Sequence, residues 1–206
     1  MKSAEVCLLF ATPVYFANTE LVVNKEVYET LEYKRMSYNN GDISTEKFVL
    51  DNPKFKEIKE TILLHLNLYA YDVLKVNKSV EFYLTNSWIT RHQPGDYSQT
   101  HSHYNSIFSG CFYLDVNEES GDFIIENNPL ATNIFTPTLR PFMEDNSNIN
   151  ANDWIVKPKN GDMILFPSTV LHSVNQNKTN KPRYALAFNT FMRGNLGEFI
   201  DRVELK

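Results

Sequence analysis

Two imidazoles, His101 and His103, stand two positions apart in SQTHSHYNSIFSGCFYL, and a third, His172, follows in FPSTVLHSV, in a chain of 206 residues with five histidines. Imidazole is the commonest metal-ligating side chain. On an extended segment, side chains i and i+2 leave the same face, so His101 and His103 can address one point. A bound ion would still need a further donor, which His172 offers from a later strand. Arg183 then opens the run RYALAFNTF. If Arg183 points inward, so do Ala185, Ala187 and Asn189, while Tyr184, Leu186 and Phe188 face the opposite layer. Small side chains beside an arginine leave a cavity, and a buried guanidinium needs an anion that suits its planar fork. A metal and an arginine in one cavity are built to receive a small carboxylated ligand. The competing reading puts Arg183 at a strand end, paired with a surface acid such as Asp162.

Other residues stand behind these. Tyr113 shares strand parity with His101 if no bulge intervenes, and its phenol would reach the same ligand. Thr90 and Asn86, on the strand before Pro94-Gly95, are placed to line the cavity, with Trp88 and Thr90 also readable as simple packing. Asn189 is polar within an apolar strand, and an unpaired buried amide costs about 1–3 kcal/mol, so it is placed near the ligand. His92 abuts the turn and reads as its support, and His65 as a packed helix residue.

The elements that must position these groups come in two textures. Val23, Val27 and Leu31 recur at a helical interval, as do Phe55, Ile58, Ile62, Leu66, Tyr69 and Val73, which predicts two amphipathic helices. The second has Asn52 as N-cap and Pro53 at its first position. VCLLFATPVYF, interrupted by Pro13, reads as a core strand rather than a signal peptide. From Val80 the chain becomes short β-rich runs: VEFYLTNSWITRH, SIFSGCFYLDV, GDFIIEN, DWIVKP, GDMILFPS, VLHSVNQ and RYALAFNTF. Turn residues punctuate them, as in an all-β sandwich or barrel. The expectation is one domain over 1–206, mostly β with flanking helices: residues 1–79 are an N-terminal strand and helical support, and residues 80–195 an antiparallel sandwich. Residues 127–153, rich in Asn, Thr and Pro and anchored by Phe135 and Phe142, read as an insertion or lid.

Composition removes several classes. An apolar fraction of 42% and an aromatic fraction of 13% belong to a folded protein. A net charge of −5 argues against bulk nucleic acid as partner. Nothing approaches the ~20 apolar residues of a membrane helix. Only Cys7 and Cys111 occur, read as lying in separate buried strands, so a disulfide framework is missing and a cytoplasmic location is expected.

The order HSH, FSGCFYL, GDMILFPSTVLHSV and RYALAFN resembles the iron(II)- and 2-oxoglutarate-dependent oxygenases, and more narrowly an uncharacterised branch found in phages and marine bacteria. The resemblance is specific over residues 86–191. It implies a double-stranded β-helix (jelly roll), Fe(2+) as metal, 2-oxoglutarate and dioxygen as cosubstrates, and hydroxylation of an unknown substrate, in the host cytoplasm if the chain is phage-encoded. It makes His101 and His172 iron ligands and Arg183 the clamp for the far carboxylate of 2-oxoglutarate, with Tyr113, Asn189 and Thr90 beside it. Most of the superfamily places Asp or Glu where this chain has His103. Three arrangements follow: a three-histidine face, two histidines with water, or a site shifted to His103 and Asn105. The missing carboxylate also leaves room for a non-catalytic jelly-roll binding or structural protein and for a cupin-like three-histidine metalloenzyme. The prime substrate is left open between protein side chain, modified base and metabolite.

Overall fold

The computed structural model describes residues 7–36, 40–127 and 141–206. In chain order the elements are β1 (Tyr15–Asn18), α1 (Lys25–Glu29), β2 (Tyr33–Arg35), β3 (Asp42–Ser44), α2 (Lys56–Asn67), β4 (Val80–His92), β5 (Ser98–His101), β6 (Phe108–Asp115), β7 (Phe123–Glu126), β8 (Asp153–Val156), β9 (Asp162–Pro167), β10 (Leu171–Val174), β11 (Arg183–Leu196) and β12 (Val203–Leu205). The larger sheet runs β1-β9-β6-β11-β4-β3-β2, with β12 joined to β11, and the smaller runs β5-β10-β7-β8. Every pairing between these strands is antiparallel. This is the antiparallel sandwich that the β-rich runs predicted, in the jelly-roll form that the resemblance implied.

The two faces of β11 carry the architecture. Tyr184, Leu186 and Phe188 are buried in the main core with Ile58, Ile62 and Leu66 of α2. Those three helix residues recur every four positions and so form one stripe. The helix is entered as expected: Asn52 Oδ1 accepts from the Lys54 N–H at 3.0 Å, and Pro53 follows it. Arg183, Ala185 and Ala187 face the other way, into a cavity between the two sheets. Gly110 lets the middle of the larger sheet close, because a Cβ there would stand 2.4 Å from Phe188 Cζ and 2.7 Å from the Ile164 carbonyl oxygen.

Four local expectations are corrected. The first helix is only Lys25–Glu29, capped by Asn24. Beyond it the chain enters β2, where pairing with β3 and stacking of the Arg91 guanidinium 4.2 Å over the Tyr33 ring outweigh helical periodicity. VCLLFATPVYF is not a core strand: its strand begins at Tyr15, beyond Pro13, and Phe10 is 97% exposed. Cys7 is therefore exposed rather than buried, while Cys111 sits in β6. Of the 127–153 segment, residues 128–140 with Phe135 lie outside the described residues, and Phe142 is exposed rather than an anchor.

Candidate functional site

β5 and β10 are neighbours, and their antiparallel register sets His101 opposite His172. Each ring is held by its own Nδ1, which donates to a carbonyl two residues earlier: Gln99 O at 2.7 Å for His101 and Val170 O at 2.9 Å for His172. That bond fixes the tautomer and leaves Nε2 as a free lone pair. His103 arrives differently from the expectation. The strand ends at His101, and the next turn carries His103 into place, its backbone N–H donating to Ser168 O at 2.9 Å. The three imidazoles offer ligand atoms within 4.8 Å of one another. Asn105 is excluded from this group: it is exposed, with a left-handed backbone at φ 56°.

The histidines sit in a dry setting. His172 lies between the Phe123 and Phe166 rings, with centroids at 5.3 and 4.9 Å, and His103 lies 5.8 Å from Trp88. Desolvation is the first cause that pushes His172 down to about 3 and His103 down to about 4, with the neighbouring His101 ring second. Both rings are thus neutral and ready to ligate at neutral pH.

β4 and β11 build the far end. Arg183 pairs with His92, Ala185 with Thr90 and Ala187 with Trp88. Arg183 is only 2% exposed, and it does not pair with Asp162, whose Oδ1 accepts instead from Asn18 Nδ2. Among the described residues, Arg183 Nε and Nη2 have no hydrogen-bond partner, and neither do His92 Nδ1 or the Tyr113 hydroxyl, all of them buried. A buried guanidinium without a counter-charge costs several kcal/mol, so this cluster of unsatisfied polar atoms fits an anion.

The remaining predicted residues divide. Thr90 lines the cavity, and its hydroxyl donates to Ala185 O at 3.2 Å. Tyr113 lies behind the lining, its ring 5.5 Å from the Arg183 guanidinium carbon. Asn189 keeps the parity of Ala185 and Ala187, paired with Ser109 of β6, but lies beyond the lining of the cavity. Its Oδ1 accepts from Ser109 Oγ at 2.7 Å, so its amide carbonyl is already satisfied. His92 is the residue that sequence reasoning missed. It is not a turn support but a wall of the cavity, 1% exposed, with Nε2 3.1 Å from Ser98 Oγ. Alternation along β4 from Trp88 and Thr90, together with the pairing to Arg183, was the signal that could have found it.

A family model described as "Putative 2OG-Fe(II) oxygenase" matches residues 86–189, half of the chain, and the match spans His101, His103, His172 and Arg183. The chain belongs to the 2OG-Fe(II) oxygenases. Iron(II) and 2-oxoglutarate are the metal and cosubstrate of this oxygenase, and the three histidines with the unpaired cluster around Arg183 suit them. No curated protein sequence matches it significantly. Solved structures share its fold. The non-heme alpha ketoglutarate dependent epimerase SnoN from nogalamycin biosynthesis aligns at TM-score 0.58 and 13% identity, over 82% of the oxygenase and 71% of SnoN. HygX from Streptomyces hygroscopicus, with nickel and 2-oxoglutarate bound, aligns at 0.55 and 12%, over 87% and 83%. A Pseudomonas putida prolyl-4-hydroxylase aligns at 0.52 and 14%, over 86% and 92%. No helix of the described residues is long and apolar enough to cross a membrane.

Proposed function

We propose that the chain is a hydroxylase in which His101, His103 and His172 hold iron(II) as a three-nitrogen face and Arg183 binds the far carboxylate of 2-oxoglutarate. The observation that carries this reading is that three converging imidazoles share a cavity with a buried guanidinium that has no counter-charge among the described residues. When bound, iron with 2-oxoglutarate and dioxygen supplies the oxidising power to break a substrate C–H bond.

The chain's own residues do the rest. His101 and His172 present Nε2 because Gln99 O and Val170 O hold their Nδ1 protons. Phe123, Phe166 and Trp88 exclude water from the rings. At the far end, His92 Nδ1 and the Tyr113 hydroxyl stand with Arg183 as donors to the carboxylate. If the Ser98 hydroxyl donates to His92 Nε2, the ring proton sits on Nδ1, as this role requires. Burial raises Tyr113 well above the ordinary tyrosine range, so its phenol keeps the proton it donates. Thr90 borders the same space. Residues 80–195 are the working core, 1–79 support it, and 127–153 help select substrate.

The test is spectroscopic. Anaerobic iron(II) and 2-oxoglutarate added together should give a visible charge-transfer band with the unmodified protein and none with His172→Ala. Absence of the band in the unmodified protein would favour a binding protein that keeps only the fold. A cupin-like site without cosubstrate is disfavoured by the unpaired Arg183, and it predicts a metal-dependent activity indifferent to Arg183→Met.

A further inference from the structure

The cavity has a second cationic pole, far from Arg183. β4 presents Asn86, Trp88, Thr90 and His92 to it from alternate positions. His92 pairs with Arg183, so Asn86 marks the opposite end, and six strand residues cover roughly 20 Å. Lys47 lines the wall there. Its carbonyl accepts from the Ser87 N–H at 2.8 Å, which seats it beside Asn86. A second ammonium stands on the rim rather than in the lining: Lys34 is exposed on β2, register partner to Ile43, which pairs with Thr90 and lines the cavity.

Two observations call for a negative ligand at this end. Burial and the Lys34 charge both push the Lys47 ammonium down, and neither lysine has a carboxylate within ion-pair distance among the described residues. Like charges left together without a counter-ion are unfavourable, and an anion between them relieves this. Moreover, Asp and Glu make up 25 of the 206 residues, yet none of the described lining residues is acidic. The cavity, of about 580 Å³, has room for a second molecule besides a five-carbon diacid at Arg183. That diacid is too short to reach Lys47 from Arg183.

We propose that the prime substrate is a small organic anion whose carboxylate or phosphate is held at Lys47 and Lys34, with its flat or apolar body lying along Trp88 toward the three histidines. This deepens the oxygenase reading and rests on it. Met36, Ile43 and Trp88 supply the apolar surface, and Asn86 supplies a neutral polar contact beside the charge.

The test uses the full chain, anaerobic, with iron(II) and saturating 2-oxoglutarate so that Arg183 is already occupied. Calorimetric titrations compare two matched pairs of probes, indole-3-acetate with indole-3-acetamide and phenyl phosphate with phenol. At least one acid should bind about tenfold more tightly than its neutral partner, and which one does so separates carboxylate from phosphate. The preference should shrink at high salt, vanish in the Lys34→Met, Lys47→Met double variant, and persist in Lys47→Arg. No acid preference in the unmodified protein, or an equal preference in the double variant, overturns the proposal. The charge-transfer band recorded in the same samples separates the two failures. A normal band without acid preference sinks only the anionic substrate, whereas no band sinks the oxygenase reading beneath it.

Discussion

His103 and His172 face each other with Nε2 atoms 3.2 Å apart and ring planes within 6° of parallel. One nitrogen comes from the turn after β5 and the other from β10, so the contact closes the site across two separate pieces of chain. Two neutral imidazoles meeting through Nε2 can share at most one proton between them, and a cation inserted there would satisfy both lone pairs.

Iron content should follow that geometry. His101→Ala and His172→Ala are each expected to abolish stoichiometric iron binding, measured by metal analysis after anaerobic loading and desalting. His103→Asp should keep the metal, because a carboxylate also ligates iron, and His103→Ala should weaken it by about tenfold or more. Unchanged iron affinity in His103→Ala would leave water, not imidazole, as the third donor.

Arg183→Met separates stability from binding. Among the described residues the buried guanidinium has no ion pair, so replacing it with an apolar side chain of similar length should leave the melting temperature unchanged or higher. The same variant should lose the stabilisation that 2-oxoglutarate gives the unmodified protein. Thermal melts with and without the cosubstrate check both halves. A large loss of stability without ligand would mean that Arg183 has a protein partner after all.

His92 gives a pH signature. Burial, and then the charge of Arg183, hold it down to about 3, so the folded chain keeps it neutral while the unfolded chain protonates it below about 6.5. Its contribution to stability is therefore complete above pH 6.5 and is lost as pH falls toward 3, with a slope of up to about 1.4 kcal/mol per pH unit. Unfolding followed from pH 7 to pH 4 should show a shallower decline in His92→Asn, with His103 and His172 still titrating. Asn carries an N–H near the position of Nδ1, so this variant should also retain 2-oxoglutarate affinity that His92→Phe loses. Equal affinity in the Phe variant would remove His92 from the carboxylate's donors.

Gly110→Ala should fail structurally. The added methyl would meet a backbone oxygen and the Phe188 ring well inside contact distance. Overpacking of this kind costs about 1–3 kcal/mol or more. Denaturant unfolding should register that loss, and a neutral result would mean that β6 and β9 can separate without penalty.

Much of this was legible in the chain because parity survives folding. RYALAFNTF alternates arginine and small residues with large apolar ones, and a strand has no option but to send the two sets to opposite sides. The seven β runs and the helix after Asn52 likewise announce themselves by period and cap. The reading failed where long-range contacts override a local pattern. Val23 and Val27 suggest a helix that β2 cuts short by pairing with β3. Asn189 obeys parity, yet its amide oxygen is taken by Ser109, and His92 looks like a turn residue until its neighbour across the ladder is known to be Arg183. Lys47 carried no signal at all, since only the closeness of Ser87 puts it on the cavity wall.

With a substrate anchored as proposed, the run of β4 beneath the cavity would work as a ruler. Beyond the register slip its pleat repeats at a fixed interval, so Trp88, Thr90 and His92 mark graduated stations along one line. A molecule tethered at one end of that line offers the carbon that lies a set span from the tether. Longer and shorter homologues would then be oxidised at a constant count of atoms from the charged terminus, and regiochemistry would be read from backbone geometry rather than from the reactivity of the bond.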